Sequence, residues 1–400
     1  MYFITKEKSE CCGCTACMHS CPVSAIHFVE DREGFKYPEI DEGICIKCGL
    51  CERVCPFERP DYSNDTQPVV YASMLSNKEE RMRSSSGGLF YALAKLIIER
   101  EGIVYGATLN KQLQVVHIGV DNLADLELLR GSKYVQSDLN NVFVEIRNQL
   151  KSDRWVYFVG TGCQVAGLKS FLRKDYPTLI LSDLVCHGVP SQKLFDTHIQ
   201  YLEQKYKGRV SDYKFRDNAI GGGCEMFHLT NPKGKQKHIR NSSYELSPYL
   251  YSFMYAYTYR YSCYNCKFAM IPRQGDITLA DYWGCKRFFP KMDISKGVSL
   301  TLLNSDKGRT LWELIKDNLE CHPSTVEDGA AENSNLVHVT DMPEIRRTVF
   351  ERIEKEGYTS LASTVFRSPR YNYFRFRQII EEVGLLNLLK QIRTSLKKCR

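Results

Sequence analysis

Apolar positions along this chain recur with a period of two or of about 3.6, and the period switches at Gly, Pro, Ser and Asp. Short β-branched and aromatic runs predict strands at VVYASML (69–75), GIVYGATL (102–109), QLQVVHIGV (112–120), WVYFVG (155–160) and TLILSDLVC (178–186). DITLADYWG (276–284) and VSLTLLN (298–304) read the same way. Helical spacing follows Ser-Ser-Ser-Gly-Gly (84–88) at Leu89, Leu93, Leu96 and Ile97. It recurs over 139–150, 164–174, from Pro190 and Ser191 to about Lys207, and over 306–318. Alternating strands and helices predict a mixed α/β sheet domain over 69–330. From 210 to 261 the pattern gives way to Gly221–Gly223 and a tyrosine-rich stretch, and no element is predicted there.

Residues 1–60 look different. Ala25–Glu30 reads as a strand, Asp31–Gly34 as a turn before Phe35–Tyr37, and the polar, Pro-flanked segment 58–68 as a linker. The expected class is α+β: a small N-terminal domain (1–60), the larger mixed domain (69–330) and a helical C-terminal region (331–400). There Leu385, Leu388, Leu389, Ile392 and Leu396 form an apolar stripe beside Lys390, Arg393, Lys397 and Lys398. That is a basic amphipathic helix, suited to docking on its own domain or a partner subunit, or to weak contact with a membrane surface.

Composition narrows the class. Of 400 residues, 43% are hydrophobic and 25% charged, ordinary for a globular chain. No run approaches the ~20 apolar residues of a bilayer span, and the N-terminus lacks a secretory apolar core, so a cytoplasmic protein is expected. The net charge of +7 equals the basic surplus of residues 365–400 alone. The rest is formally neutral, which argues against nucleic acid as a partner.

The 17 cysteines carry the chemistry. Cys11-x2-Cys14-x2-Cys17-x3-Cys21-Pro22 is repeated as Cys45-x2-Cys48-x2-Cys51-x3-Cys55-Pro56. In this pattern three thiolates wrap one 4Fe–4S cubane, and the fourth reaches the other cluster. Cys11, Cys14, Cys17 and Cys55 are therefore assigned to one cluster, and Cys45, Cys48, Cys51 and Cys21 to the other, leaving Cys12 over. A zinc ribbon, with two C-x2-C pairs per metal, fits two such runs poorly.

Four more cysteines sit at strand ends and turns: Cys163 in VGTGCQ, Cys186 in LVCHGVPS, and Cys263 and Cys266 in SCYNC. They suffice for a third 4Fe–4S cluster; dispersed zinc ligands or buried free thiols are the alternatives. SSSGG and VGTGCQ each offer backbone N–H groups to an anion such as a flavin pyrophosphate, or are turns and caps. Cys224, Cys285, Cys321 and Cys399 have no partner pattern.

The paired runs, RSSSGG (83–88), GSKYVQSD (131–138), GTGCQVAGLKSFL (160–172), LVCHGVPS (184–191), FRD (215–217), SCYNCKF (262–268) and GDITLADYWG (275–284) together resemble the coenzyme F-420 hydrogenase/dehydrogenase beta-subunit family. Its relatives include 7-hydroxymethyl chlorophyll a reductase and proteins of polysaccharide-synthesis pathways. The resemblance implies that the larger domain binds FAD and a 4Fe–4S cluster held by Cys163, Cys186, Cys263 and Cys266. It also implies flavin contacts at Ser85, Ser86, Gly87, Gly88, Gly160, Thr161, Gln164, His187 and Gly188. The family usually has Pro where this chain has Gly162, which would free that loop. His187 is the candidate proton donor, or a turn residue; Arg273 and Asp281 read as ion-pair or solvated charges.

The expected function is an iron–sulfur flavoprotein oxidoreductase linking a ferredoxin or other one-electron carrier to a small-molecule substrate. The rivals are a non-catalytic electron-transfer subunit and a deazaflavin (coenzyme F-420) oxidoreductase.

Overall fold

The structure is a computed structural model describing residues 2–216 and 225–382. The expected C-terminal amphipathic helix, Cys399, Cys224 and Asp217 of the FRD stretch lie outside the described residues. Thirteen strands are described: β1 (Ile26–Glu30), β2 (Lys36–Ile40), β3 (Val69–Leu75), β4 (Ile103–Leu109), β5 (Val115–Val120), β6 (Val156–Thr161), β7 (Leu179–Leu184), β8 (Arg209–Lys214), β9 (Met226–Thr230), β10 (Gln236–Arg240), β11 (Ile277–Asp281), β12 (Ser299–Leu303) and β13 (Leu319–Ser324).

Eight of them form the central sheet in the order β13-β3-β12-β11-β7-β6-β4-β5. β4, β6, β7 and β11 run parallel, flanked by antiparallel neighbours. Both faces are covered, so the strands read as continuous apolar runs and successive side chains enter opposite cores. Phe158, Leu179 and Leu181 face one core with the helices Val142–Lys151 and Gly162–Leu172. Tyr157 and Ile180 face the other, beneath Leu89–Glu99 and Asp306–Ile315. Each such fully buried side chain contributes on the order of 1.5–3 kcal/mol.

The predicted strands and helices are all present to within a few residues at their ends. Three features were not expected. β8, β9 and β10 form an antiparallel sheet across the tyrosine-rich region. It is pinned by the buried Glu225, which accepts hydrogen bonds from His198 Nε2 (2.6 Å), Tyr213 (2.6 Å), Ser247 (2.8 Å) and Asn241 (2.7 Å). β13 adds an edge to the central sheet despite Pro323.

The third feature corrects the linker. Segment 58–68 is stapled to the large domain: Tyr62 donates to the Lys267 carbonyl (2.9 Å), and Asn64 to those of Arg273 and Gly275 (both 2.9 Å). Asp61 pairs with Lys169 at 2.6 Å.

The predicted turn at Asp31–Gly34 is present, closed by Asp31 N–H to the Phe35 carbonyl (2.9 Å). Gly34 has φ +86°, and a Cβ there would also meet Lys193 Cβ at 2.3 Å. Beside it the buried Glu33 holds Arg346 through two contacts (3.2 and 2.5 Å), fixing the β1–β2 hairpin to the C-terminal region. Among the described residues no helix is long and apolar enough to cross a membrane.

Candidate iron–sulfur sites

The helix Ala16–Ser20 carries the first cysteine run into the core of the large domain. Cys12, Cys14, Ala16 and Phe57 belong to the same buried cluster as Phe143, Phe158 and Leu168. The approach is closest at Gly167, where a Cβ would lie 2.7 Å from Cys14 Cβ. Around this run a cavity of about 390 Å³ is lined by Cys11, Cys14, Cys17 and Cys55, with Phe28, Pro38 and Phe57. Cys55 thus leaves its own run and joins the first, as the crossed assignment expects.

The second run differs. Cys45 and Cys48 lie on a surface loop and Cys51 on the short helix Leu50–Arg53; Cys48 is exposed. Cys21, which ends the helix Ala16–Ser20, belongs to the two short helices that pack together here. Its Sγ accepts the Ala25 N–H at 3.2 Å.

The four dispersed cysteines meet at the carboxyl ends of β6 and β7. Cys163 sits in the first turn of the helix after β6, Cys186 just beyond β7, and Cys263 and Cys266 on and after the turn Tyr261–Asn265. All four line one cleft of about 570 Å³, counting its open mouth, with Phe57, Leu184, Phe268 and Arg273. The thiols are near enough to oppose one another's ionisation. Burial, with Cys163 and Cys266 adding, pushes Cys186 up to about 12; burial, with Cys163 adding, pushes Cys266 up to about 11. Burial also pushes Cys263 well up. For Cys163 the larger cause is the Cys12 hydrogen bond, then burial.

Four such thiols ionise together only when bound cations compensate them, so the donor set fits a metal cluster. Among the described residues no three His, Cys, Asp or Glu side chains converge on a point suited to one ion. The thiols are instead distributed around the cleft, which suits one ligand per corner of a cubane.

Cys12 acquires a place. It lines both cavities, as does Phe57, and its thiol contacts Cys14 on one side and Cys163 on the other. Arg260, unmarked in the sequence, is buried at the same junction. Both were missed because the contacts span far-separated parts of the chain; Arg260 and Cys11 are 249 residues apart.

The flavin candidates divide into two places. Thr161, His187 and Gly188 line the cleft. His187 stacks on Phe253 (6.3 Å between centroids), and burial lowers its pKa, which favours the neutral ring. Its carbonyl accepts from Thr340 (2.7 Å).

Ser85–Gly88 lie further along the same sheet edge, engaged with the protein itself. Ser85 Oγ accepts the Ser132 N–H (2.8 Å), Ser86 donates to the Val298 carbonyl (3.0 Å), and Gly87 N–H donates to Ser299 (3.0 Å). Gln164 and Thr161 form a capping box, Gly160 packs against Gln164, and Gln164 also donates to Ser137 (2.9 Å). A flavin here would meet mostly backbone and already-bonded side chains.

Gly162 corrects the expectation of a freed loop. It is the first residue of its helix, a position open to Pro, and a Cβ would meet Phe268 Cβ at 3.0 Å. Arg273 pairs with the buried Asp183 (3.1 Å), and Asp281 pairs with Arg216. Cys285 is buried and Cys321 half-buried, away from the cleft.

Residues 153–328 match the family described as the C terminus of the coenzyme F420 hydrogenase/dehydrogenase beta subunit, and residues 10–58 match the 4Fe-4S dicluster domain. An uncharacterized ferredoxin of Methanocaldococcus jannaschii is 46% identical over 46 residues, covering 12% of this chain and 25% of that protein. Ferredoxin 7Fe of Hydrogenibacillus schlegelii is 35% identical over 65 residues, covering 16% of this chain and 76% of that one. This chain therefore spans only a quarter of the first of these relatives, and most of the second. A chain of the F420-reducing NiFe hydrogenase complex from Methanosarcina barkeri aligns with a TM-score of 0.43 at 16% identity, covering 72% of this chain and 93% of that one. By its family matches, the chain belongs to the coenzyme F420 hydrogenase/dehydrogenase beta-subunit family and carries a 4Fe–4S dicluster ferredoxin domain at residues 10–58.

Proposed function

We propose that this chain is an iron–sulfur flavoprotein oxidoreductase passing electrons between a ferredoxin-like carrier and a small-molecule substrate. The observation that carries the reading is the junction at Cys12 and Phe57, where the first-run cavity meets the four-cysteine cleft. It supports three 4Fe–4S sites in series. The outer one uses Cys45, Cys48, Cys51 and Cys21, the inner one Cys11, Cys14, Cys17 and Cys55, and the cleft site Cys163, Cys186, Cys263 and Cys266.

A bound flavin would link the one-electron chemistry of clusters to a two-electron change in a substrate. Thr161 and Gly188 at the cleft, with Gly160 and Gln164 behind them and Ser85, Ser86, Gly87 and Gly88 along the sheet edge, are the residues we assign to holding it. His187, with a ring that favours the neutral form, is the group we assign to handing on a proton.

A second reading, a non-catalytic electron-transfer subunit, is favoured by the exposed Ile44 and Ile46 flanking Cys45. These would suit a protein partner. A deazaflavin substrate is the third, drawn from the family name alone.

Anaerobic purification with iron, sulfide and flavin analysis tests these readings. The expected content is about twelve iron per chain, four for each of three clusters, with one FAD. About eight iron would remove the cleft site, and protein without flavin would leave the electron-transfer subunit.

A further inference from the structure

Arg260 belongs by its backbone to the cleft and by its side chain to the ferredoxin domain. Its N–H donates to the Val189 carbonyl (3.0 Å), and its own carbonyl accepts the Cys263 N–H (2.9 Å). The side chain runs the other way. Nε donates to the Cys11 carbonyl (2.7 Å), Nη2 to the Lys36 carbonyl (2.9 Å), and Nη1 to Gln136 Oε1 (3.2 Å). Nη2 also lies 3.6 Å from Cys11 Sγ. The guanidinium covers the Tyr37 ring at 4.1 Å, and the residue is 1% exposed.

This cation lacks a counter-charge in the protein. The other large buried arginines have one: Arg346 pairs with Glu33 and Arg273 with Asp183. Among the described residues no carboxylate lies within ion-pair distance of Arg260; its acceptors are two carbonyls, an amide and a thiol. A buried charge left without a partner costs several kcal/mol. A cubane with four thiolate ligands is a net anion, and reduction adds one further negative charge.

We propose that Arg260 is a positioning residue whose guanidinium, fixed between the two cavities, serves as counter-ion to a cluster on Cys11 and raises its reduction potential above that of the second-run cluster. The proposal rests on the iron–sulfur reading above. A fixed cation favours the more negative, reduced state, and a hydrogen bond to a ligand sulfur acts in the same direction. The one-electron step itself forms and breaks no bond; the electron comes from an external one-electron donor. Its effect is to make the inner site the preferred resting place for an electron that enters through the outer one.

The test is a redox titration of anaerobically purified full-length protein, each cluster followed by its EPR signal, for the unsubstituted chain, Arg260→Gln and Arg260→Lys. With Gln, the first-run cluster should be reduced about tenfold less readily, a fall of about 59 mV for one electron. The second-run cluster should not move, and Lys should recover part of the shift. An unmoved first-run midpoint at full iron content overturns the proposal, as does an equal shift in every cluster.

If the Gln variant does not retain iron, Arg260→Lys decides. It keeps the charge but withdraws it from Cys11 Sγ, so a smaller fall supports the proposal and no change overturns it. Loss of iron from both variants also overturns it, in favour of a purely structural clamp. Fewer than about eight iron in the unsubstituted chain, the complement of two clusters, sinks the reading beneath; full iron with unmoved midpoints sinks the Arg260 proposal alone.

Discussion

The run Cys11–Cys21 lies against the helix Gly162–Leu172, with Cys12 and Cys14 buried and Arg260 closing one side. The run Cys45–Cys55 keeps the same spacing but leaves Cys48 exposed, with Ile44 50% and Ile46 61% accessible. Their identical spacing supplies two equivalent sets of thiols; the large domain, by covering one of them, makes an inner and an outer site. Tandem repeats of a metal motif are therefore chemically alike only until something packs on one copy.

The hardest blow to this comparison is to the crossed cysteines. Cys55→Ser should remove the cluster at the buried run, about four iron per chain, and Cys21→Ser the one at the exposed run; EPR of the remaining clusters tells which is gone. The reverse pattern would break the crossed assignment.

Next comes acidification of the core behind the inner run. His117 stacks on Phe158 (5.4 Å), which packs against Phe143, itself next to His19 of the first run. Burial holds the folded-state pKa of His117 at about 4, against an ordinary value near 6.5. The unfolded chain therefore takes the proton first, and stability should fall as pH drops from about 6.5 to about 4. The loss from this residue is up to roughly 3 kcal/mol. Denaturant unfolding at several pH values should show it, and His117→Gln should flatten it.

Gly167→Val should cost about 1–3 kcal/mol through overpacking against Cys14, lowering Tm and occupancy of the inner cluster while the outer EPR signal persists. The mildest change sharpens the outer side. Ile46→Glu should alter stability by less than about 0.5 kcal/mol yet slow reduction by an external ferredoxin, measured by stopped flow.

The ferredoxin domain and the central strands were legible because Cys spacing and continuous apolar runs are local signals. β8, β9 and β10 were not: Arg209–Lys214 and Gln236–Arg240 bury few of their residues, so polar positions dominate them. Pro323 argues against a strand, yet β13 lies at the sheet edge, where a missing N–H is tolerated. Cys163, Cys186, Cys263 and Cys266 were visible as residues, but their meeting depends on parallel strands β6 and β7 ending side by side. Cys12 has no role in the cysteine count because the run needs only four; its place at the junction is a tertiary fact.

The stapling of 58–68 through Asp61, Tyr62 and Asn64 has a kinetic consequence. A ferredoxin on a loose tether would swing between its source and its target, and each transfer would wait on diffusion. Held in register, this one hands charge inward over a fixed gap. Internal transfer should then ignore solvent viscosity, and adding glycerol should slow only the delivery of electrons from outside.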